Sequence, residues 1–359
     1  MYSFFRPLLF RLDPERAHLL TLRLLRLMGA LTPVQWTFAE AFHIPDKPVE
    51  AFGLRFKNPV GLAAGYDKDA LAIYGLDALG FGHIEVGTVT PLPQPGNPSP
   101  RIFRLPEDEA VINRMGFPSR GTEFVQARLN PDLGVGIVER FLGMRVRRKP
   151  KLRRPTEARL GVNLGKNKST PNEQAVFDYL SLLQNFAGLA DYLTINVSSP
   201  NTEGLRRLQA REELEKLLGH LHDQRSLEAK RLERPVPLLV KLAPDLSPQE
   251  LEDALDAILR TGMDGVIVTN TTLERGALRS ASAGEDGGLS GGPLRVRSEA
   301  VLQETVKRLD GRLPVISAGG IMEPEDARRR LDMGAALVQV YTGLIYRGPG
   351  LVKEIVRRL

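Results

Sequence analysis

Eight short, almost wholly apolar runs recur along this chain, and amphipathic helical stretches separate nearly all of them. They are Pro59–Ala63, His83–Gly87, Leu160–Leu164, Tyr192–Val197, Pro237–Leu242, Gly265–Thr269, Pro314–Ala318 and Ala336–Tyr341. Among the helical stretches are Glu212–Leu227, Pro248–Thr261 and Pro324–Met333. A strand that is apolar on both faces must be covered on both, and strand–helix alternation achieves this with a parallel sheet under helices. Eight such units is the number that closes the sheet, so the pattern predicts an α/β fold, a (β/α)8 TIM barrel. An open, doubly wound sheet is the rival reading. It is weakened because no G-x-G-x-x-G follows the first run.

The first 45 or so residues form a separate unit. Asp13 suits a helix cap, Pro14 its first position and Glu15 the positive end of its dipole. Leu20, Leu24, Leu27, Met28 and Leu31 repeat at helical spacing, with Arg16, Arg23 and Arg26 elsewhere on the surface. Thr32-Pro33 opens a second short helix carrying Trp36, Phe38, Ala41 and Phe42. Either this helical hairpin extension simply docks on the main core, or its apolar face meets a membrane surface or a lipophilic ligand. The expected division is residues 1–45 for the hairpin and 46–359 for the barrel.

Composition narrows the function. The 359 residues include no cysteine, which excludes disulfides, thiolate metal sites, a cysteine-held iron–sulfur cluster and a catalytic thiol. The net charge of +6 is local, because the run Arg145–Arg159 holds eight basic residues and one acid and leaves 41 basic against 42 acidic residues elsewhere. That run, in a basic insertion around 142–159, reads either as a solvated surface segment or as an attraction to an anionic membrane surface. With 14 Phe, 7 Tyr and 1 Trp the chain is thin in stacking side chains, and no nucleic acid partner is expected. No stretch is long and apolar enough to span a bilayer, and Arg6, Arg11 and Asp13 interrupt any signal-peptide core. Cytoplasmic placement is the default.

In a barrel of this kind the chemistry sits where strands end. Those positions hold Ala63–Lys68, Gly87-Thr88, Gly161–Asn167, Asn196–Thr202, Lys241, Thr269–Thr271, Ser317–Gly320 and Tyr341–Gly343. Amides and a few lysines dominate. No histidine is among them, and no Asp/Glu/His group has metal-ligand spacing, so no metal is expected. His220 and His222, two apart in a helix, face different ways. Asn163, Asn196, Asn201 and Asn270 each offer a donor and an acceptor, which suits a flat molecule edged with C=O and N–H groups. Gly319-Gly320 and Tyr341–Gly343 occupy the place where barrels commonly hold a phosphate on backbone N–H groups. Gly161–Lys166 is one residue short of a P-loop and lacks its Ser/Thr.

Together with Asp13–His18, Asn113–Phe117, Asn163–Lys168 and Gly287–Gly291, these motifs resemble the dihydroorotate dehydrogenases over nearly the whole chain. The N-terminal extension and Ser199 are similar to the membrane-associated, quinone-dependent class 2 enzymes; the soluble class uses a cysteine base, which this chain cannot supply. The resemblance implies a flavoprotein oxidoreductase of pyrimidine biosynthesis that oxidises (S)-dihydroorotate to orotate with bound FMN and passes the electrons to a membrane quinone. It implies a peripheral place on the cytoplasmic side of the cell membrane and no iron–sulfur partner subunit.

By the same resemblance, Ser199 is the base that takes the C5 proton, relayed past Thr202 and Phe117, while the C6 hydride goes to flavin N5. Lys68, Asn113, Arg114, Met115, Gly116, Phe117, Asn196, Asn201, Asn270 and Thr271 are implied substrate contacts. Ala64, Gly65, Tyr66, Asp67, Lys68, Thr88, Asn163, Asn196, Lys241, Thr269, Gly291, Gly320, Tyr341 and Thr342 are implied FMN contacts. His18, Arg104 and Tyr341 would line a quinone tunnel, although Arg104 equally suits a surface pair with Glu107 or Asp108. Gly292 stands where the family usually places Arg or Lys, which removes a cationic contact at that corner. The alternative function is a non-redox barrel lyase that uses Lys68 or Lys241 as a Schiff base.

Overall fold

The computed structural model describes residues 2–30, 32–130 and 156–359. Most of the basic insertion around 142–159 lies outside them, so its expected role is not addressed by the fold. Eight parallel strands close into a barrel: β1 Val60–Leu62, β2 His83–Val89, β3 Arg159–Leu164, β4 Tyr192–Asn196, β5 Leu238–Leu242, β6 Gly265–Val268, β7 Val315–Ala318 and β8 Leu337–Val340. Each falls within one residue of a run read from the sequence, save that β2 extends to Val89. The order is sequential and β8 pairs with β1 through Val338↔Val60, so no edge strand is left unpaired.

Side chains alternate about this wall. Leu193 and Ile195 point out to the helices and share the main core with Leu182, Leu218 and Ile258. Tyr192 points in and packs with Leu239, Ile267, Ile316 and Leu337. A hairpin of Val49–Ala51 and Leu54–Phe56 closes the N-terminal end of the barrel and sets the fully buried Phe56 ring 5.6 Å from that of His83. The barrel is therefore solid at one end and open to chemistry only at the other.

Three helices precede it: α1 Tyr2–Arg11, α2 Pro14–Ala30 and α3 Thr32–Ala41. The Arg16 N–H donates to Asp13 Oδ1 at 3.0 Å, the cap that Asp13-Pro14 signalled. The two-helix expectation missed α1, whose Pro7 sits inside the helix. α2 lies close against the helix Ile73–Asp77. A Cβ on Gly29 would fall 2.6 Å from the Gly75 nitrogen, so the absence of a side chain sets that approach. α2 buries only Leu22, whereas Phe4, Leu8, Leu24, Leu27 and Trp36 remain exposed. No helix among the described residues is long and apolar enough to cross a membrane.

A small antiparallel sheet of Ile102–Leu105, Ala110–Asn113 and Gly288–Gly291 was not read from the sequence. It folds over the open end of the barrel and carries Asn113, Ser290 and Gly291 to it.

Candidate active site

The strand ends and this small sheet enclose one cleft of about 940 Å³, counted with its open mouth. Lys68, Thr88, Asn113, Phe117, Asn196, Ser199, Asn201, Lys241, Thr269, Asn270 and Thr271 line it, with Met115 and Gly116 beside them. Ala64, Gly65, Gly291, Gly320, Tyr341 and Thr342 complete the wall. No described group of His, Asp or Glu could hold a metal ion.

Lys68 stands at one side. A Cβ on Gly65 would lie 3.6 Å from its Nζ, so the bare backbone at Gly65 leaves the ammonium room over the cleft. Burial lowers the Lys68 pKa to about 8, helped by Arg101 and Lys241 and opposed by Asp69 and Glu15. Lys241 rises from the floor on β5, opposite Asn196 on β4. It is 5% exposed, and burial lowers its pKa while Glu85 raises it. Ser199 is also 5% exposed, and its Oγ accepts the Asn201 N–H at 3.3 Å. Asn201 in turn donates to Asn113 Oδ1 at 3.3 Å, which ties the β4 loop to the covering sheet.

The floor is a polar cluster centred on Glu85, which the sequence reading missed. Its carboxylate is fully buried and accepts from Asn163 Nδ2 at 2.8 Å, Gln339 Nε2 at 2.9 Å and the Tyr192 hydroxyl at 3.3 Å. Asn163 Oδ1 then accepts from Thr88 Oγ1 at 2.6 Å and from Asn196 Nδ2 at 2.9 Å. Asn196 Oδ1 lies 3.0 Å from the Ser198 hydroxyl, which accepts from Asn270 Nδ2 at 3.0 Å. An acceptor-only carboxylate at one end thus orders the amides of four strands. An acid inside the apolar run His83–Gly87 was the available signal.

Several expected residues lie outside the cleft wall. Asn163 sits beneath it, in the Glu85 cluster. Asp67 is buried and accepts from the Leu71 and Ala72 N–H groups at 2.8 and 2.7 Å, so it shapes the loop; burial raises its pKa to about 6 against those bonds. Arg114 turns outward to Glu285 at 2.7 Å and the Phe103 ring. Thr202 is buried but not on the wall. Tyr66 turns towards α2: its ring centroid is 5.1 Å from that of His18 and 5.9 Å from that of Tyr341. These rings connect the hairpin to the cleft, because Tyr341 lines it. Burial, with Lys68 nearby, lowers the His18 pKa to about 4 and keeps the ring neutral. Arg104 makes neither surface pair; it donates to the carbonyls of Leu9, at 3.1 Å, and Leu12, and covers the Phe10 ring. Ser290, Leu294, Ile321, Met322 and Gln339 line the cleft without having been singled out. His220 and His222 make only local contacts, to Lys216 and Arg225. At Gly292 a Cβ would fall 3.2 Å from the Asp108 carbonyl oxygen.

Comparison with known proteins gives one family. Residues 48–359 match the family model described as dihydroorotate dehydrogenase. A relative from Idiomarina loihiensis, named dihydroorotate dehydrogenase (quinone), is 48% identical over 359 residues and covers all of both chains. One of the same name from Alkalilimnicola ehrlichii is 49% identical over 363 residues, covering 99% of this chain and 98% of its own. Among solved structures, DHODH from Eimeria tenella in complex with ferulenol superposes with a TM-score of 0.77 at 39% identity, over 96% of this chain and 90% of its own. Its ligand-free form gives the same TM-score at 41% identity, over 93% and 92%.

Proposed function

We infer the chemistry of the cleft from one premise: the chain belongs to the dihydroorotate dehydrogenase family and is an oxidoreductase that oxidises dihydroorotate, with a quinone as acceptor, in pyrimidine biosynthesis. That sets the lyase alternative aside. The family is flavin-dependent, and the reading here is that the flavin is FMN. The residues suit it. Lys241 puts a buried cation on the floor, where the ring's reduced anion would need one. The bare backbones of Gly65 and Gly320 allow a flat group and a phosphate to approach closely. Thr88, Asn196, Lys241 and Thr269 would hold the ring, and Gly291, Gly320, Tyr341 and Thr342 the phosphate. Bound FMN supplies the acceptor for the substrate's hydride.

Lys68 meets the substrate carboxylate as an ammonium. Asn113, Asn201 and Asn270 read the pyrimidine edge with paired donors and acceptors. Ser199 accepts the C5 proton; a serine hydroxyl is a weak base, so the proton leaves through water past Thr202 and Phe117. Closure by Phe117 and the small sheet excludes bulk water from the reacting face.

The N-terminal hairpin brings the quinone. His18, Tyr66 and Tyr341 form the inner wall of its path, and Arg104 braces α1 beside it. The exposed leucines and aromatics of α1 to α3 rest on the cytoplasmic side of the membrane, as a peripheral contact.

The observation that carries this reading is the convergence of Ser199, Lys68 and four asparagines on one cleft floored by Lys241. Purified protein should be yellow, and anaerobic dihydroorotate should bleach it. Deleting residues 2–45 should spare that bleaching and abolish turnover with a quinone and binding to vesicles. Colourless protein that takes up no flavin, or a truncated form that turns over quinone at the full rate, would refute the assignment.

A further inference from the structure

Behind the loop Gly319-Gly320, on the side away from the cleft, lies Arg330, the largest fully buried side chain among the described residues. It stands on the helix Pro324–Asp332, and its guanidinium turns inward. Nη2 donates to the Gly319 carbonyl oxygen at 2.9 Å and to Ser298 Oγ at 2.9 Å; Nη1 donates to Ser317 Oγ at 3.1 Å. The Ser298 hydroxyl itself lies 2.9 Å from the same Gly319 oxygen. Arg330 holds this carbonyl turned away from the cleft, and Ser298, whose single proton is shared with the Leu294 and Arg295 carbonyls at 2.9 and 3.0 Å, supports it.

The consequence follows from the peptide bond. In a trans peptide the N–H points opposite to the preceding C=O. A Gly319 carbonyl drawn back onto Arg330 and Ser298 therefore sends the Gly320 N–H forward, into the cleft that both glycines line. A Cβ on Gly320 would fall 2.6 Å from the Arg295 nitrogen, so nothing larger than glycine permits the arrangement.

Charge points the same way. Arg330, Arg329 and Arg295 share two carboxylates: Glu299 lies 3.3 Å from Arg330 and 3.2 Å from Arg329, and Asp326 takes Arg295 at 3.1 Å together with Arg329. Three guanidinium groups against two acids leave a formal excess of one positive charge. Arg295 and Arg329 are each 43% exposed and shared with water, whereas Arg330 is fully buried, so the charge held unscreened behind the loop is that of Arg330, with Glu299 at 3.3 Å.

We propose that Arg330, with Ser298, is a positioning residue for the flavin phosphate: it aims the Gly320 N–H at that phosphate and places a buried positive charge behind it. This rests on the reading of the cleft as an FMN site and deepens it. Arg330 touches neither substrate nor flavin.

The test separates phosphate recognition from folding. Full-length protein stripped of flavin is titrated with FMN and with riboflavin, which lacks the phosphate, and fluorescence quenching is followed for wild type, Arg330→Met, Arg330→Lys and Ser298→Ala. Arg330→Met should weaken FMN by about tenfold or more, the range for a lost charge-assisted hydrogen bond, and leave riboflavin within about twofold. Arg330→Lys should restore part of the loss, and Ser298→Ala should weaken FMN selectively by a smaller factor. Equal weakening of both flavins, or an unchanged preference in every variant that folds, overturns the proposal. Should Arg330→Met fail to fold, the lysine and Ser298→Ala variants decide by the same ratio. A wild type that binds neither flavin, or does not prefer FMN, sinks the FMN reading and this proposal with it; a wild-type preference kept intact in the variants sinks this proposal alone.

Discussion

Glu85 and Asn163 meet inside the barrel, where the fully buried carboxylate accepts the amide N–H at 2.8 Å. The pair sits one layer below the cleft, between the apolar plug around Phe56 and the reactive rim. Replacing Glu85 by leucine strands the donors of Asn163, Gln339 and Tyr192 in the interior, and should cost about 3 kcal/mol or more. Urea unfolding of the flavin-loaded protein reads this directly, and an unchanged midpoint would deny the cluster its structural role.

Ser199→Ala removes the hydroxyl assigned to accept the C5 proton while leaving Lys68 and the asparagines in place. Flavin reduction by dihydroorotate should slow by about a hundredfold or more, with orotate affinity nearly unchanged. Anaerobic stopped-flow absorbance separates the two. Equal losses in binding and reduction would mark Ser199 as a substrate contact instead.

The pH dependence of substrate capture follows from Lys68. Burial lowers its pKa to about 8, so the ammonium is present below that pH and lost above it. Only the ammonium attracts the substrate carboxylate. Orotate affinity of the free enzyme should therefore fall as pH rises through about 8, and Lys68→Met should be weak at every pH and lack that step.

His18 gives the opposite sign in acid. Its pKa is lowered from 6.5 to about 4, chiefly by burial, so the docked hairpin disfavours its protonation. Above 6.5 docked and undocked states bind the same number of protons. Below it the undocked state takes up a proton first, and docking loses up to about 3 kcal/mol by pH 4. Protection factors for hydrogen exchange in Pro14–Ala30, taken against the intrinsic rate at each pH, should fall over that window, and His18→Phe should flatten the trend.

How much of this was legible differs by residue. The eight strands and the cap at Asp13 are local: their signals are apolar runs, periodicity and one side-chain acceptor, all read within a few residues. Lys241, Ser199, Asn196, Asn201 and Asn270 follow, because a closed barrel sends every strand end to the same rim; Asn113 comes only from the resemblance, and Asn163 lies beneath the cleft. The covering sheet does not follow: Ile102–Leu105 and Ala110–Asn113 form a local hairpin, but the third strand, Gly288–Gly291, joins it from about half the chain away. Nor do the turns of Arg114, Asp67 and Tyr66 away from the cleft. Their neighbours in sequence are cleft residues; the distant partners Glu285 and His18 draw Arg114 and Tyr66 away, and Asp67 turns back onto the Leu71 and Ala72 amides of its own loop. Glu85 and Arg330 are the clearest case. Sequence alone determined that a charge stands in a buried strand and another in an amphipathic helix. Tertiary structure decided that each is surrounded by groups able to satisfy it, because a charge survives in the interior only where distant segments bring its hydrogen-bond partners.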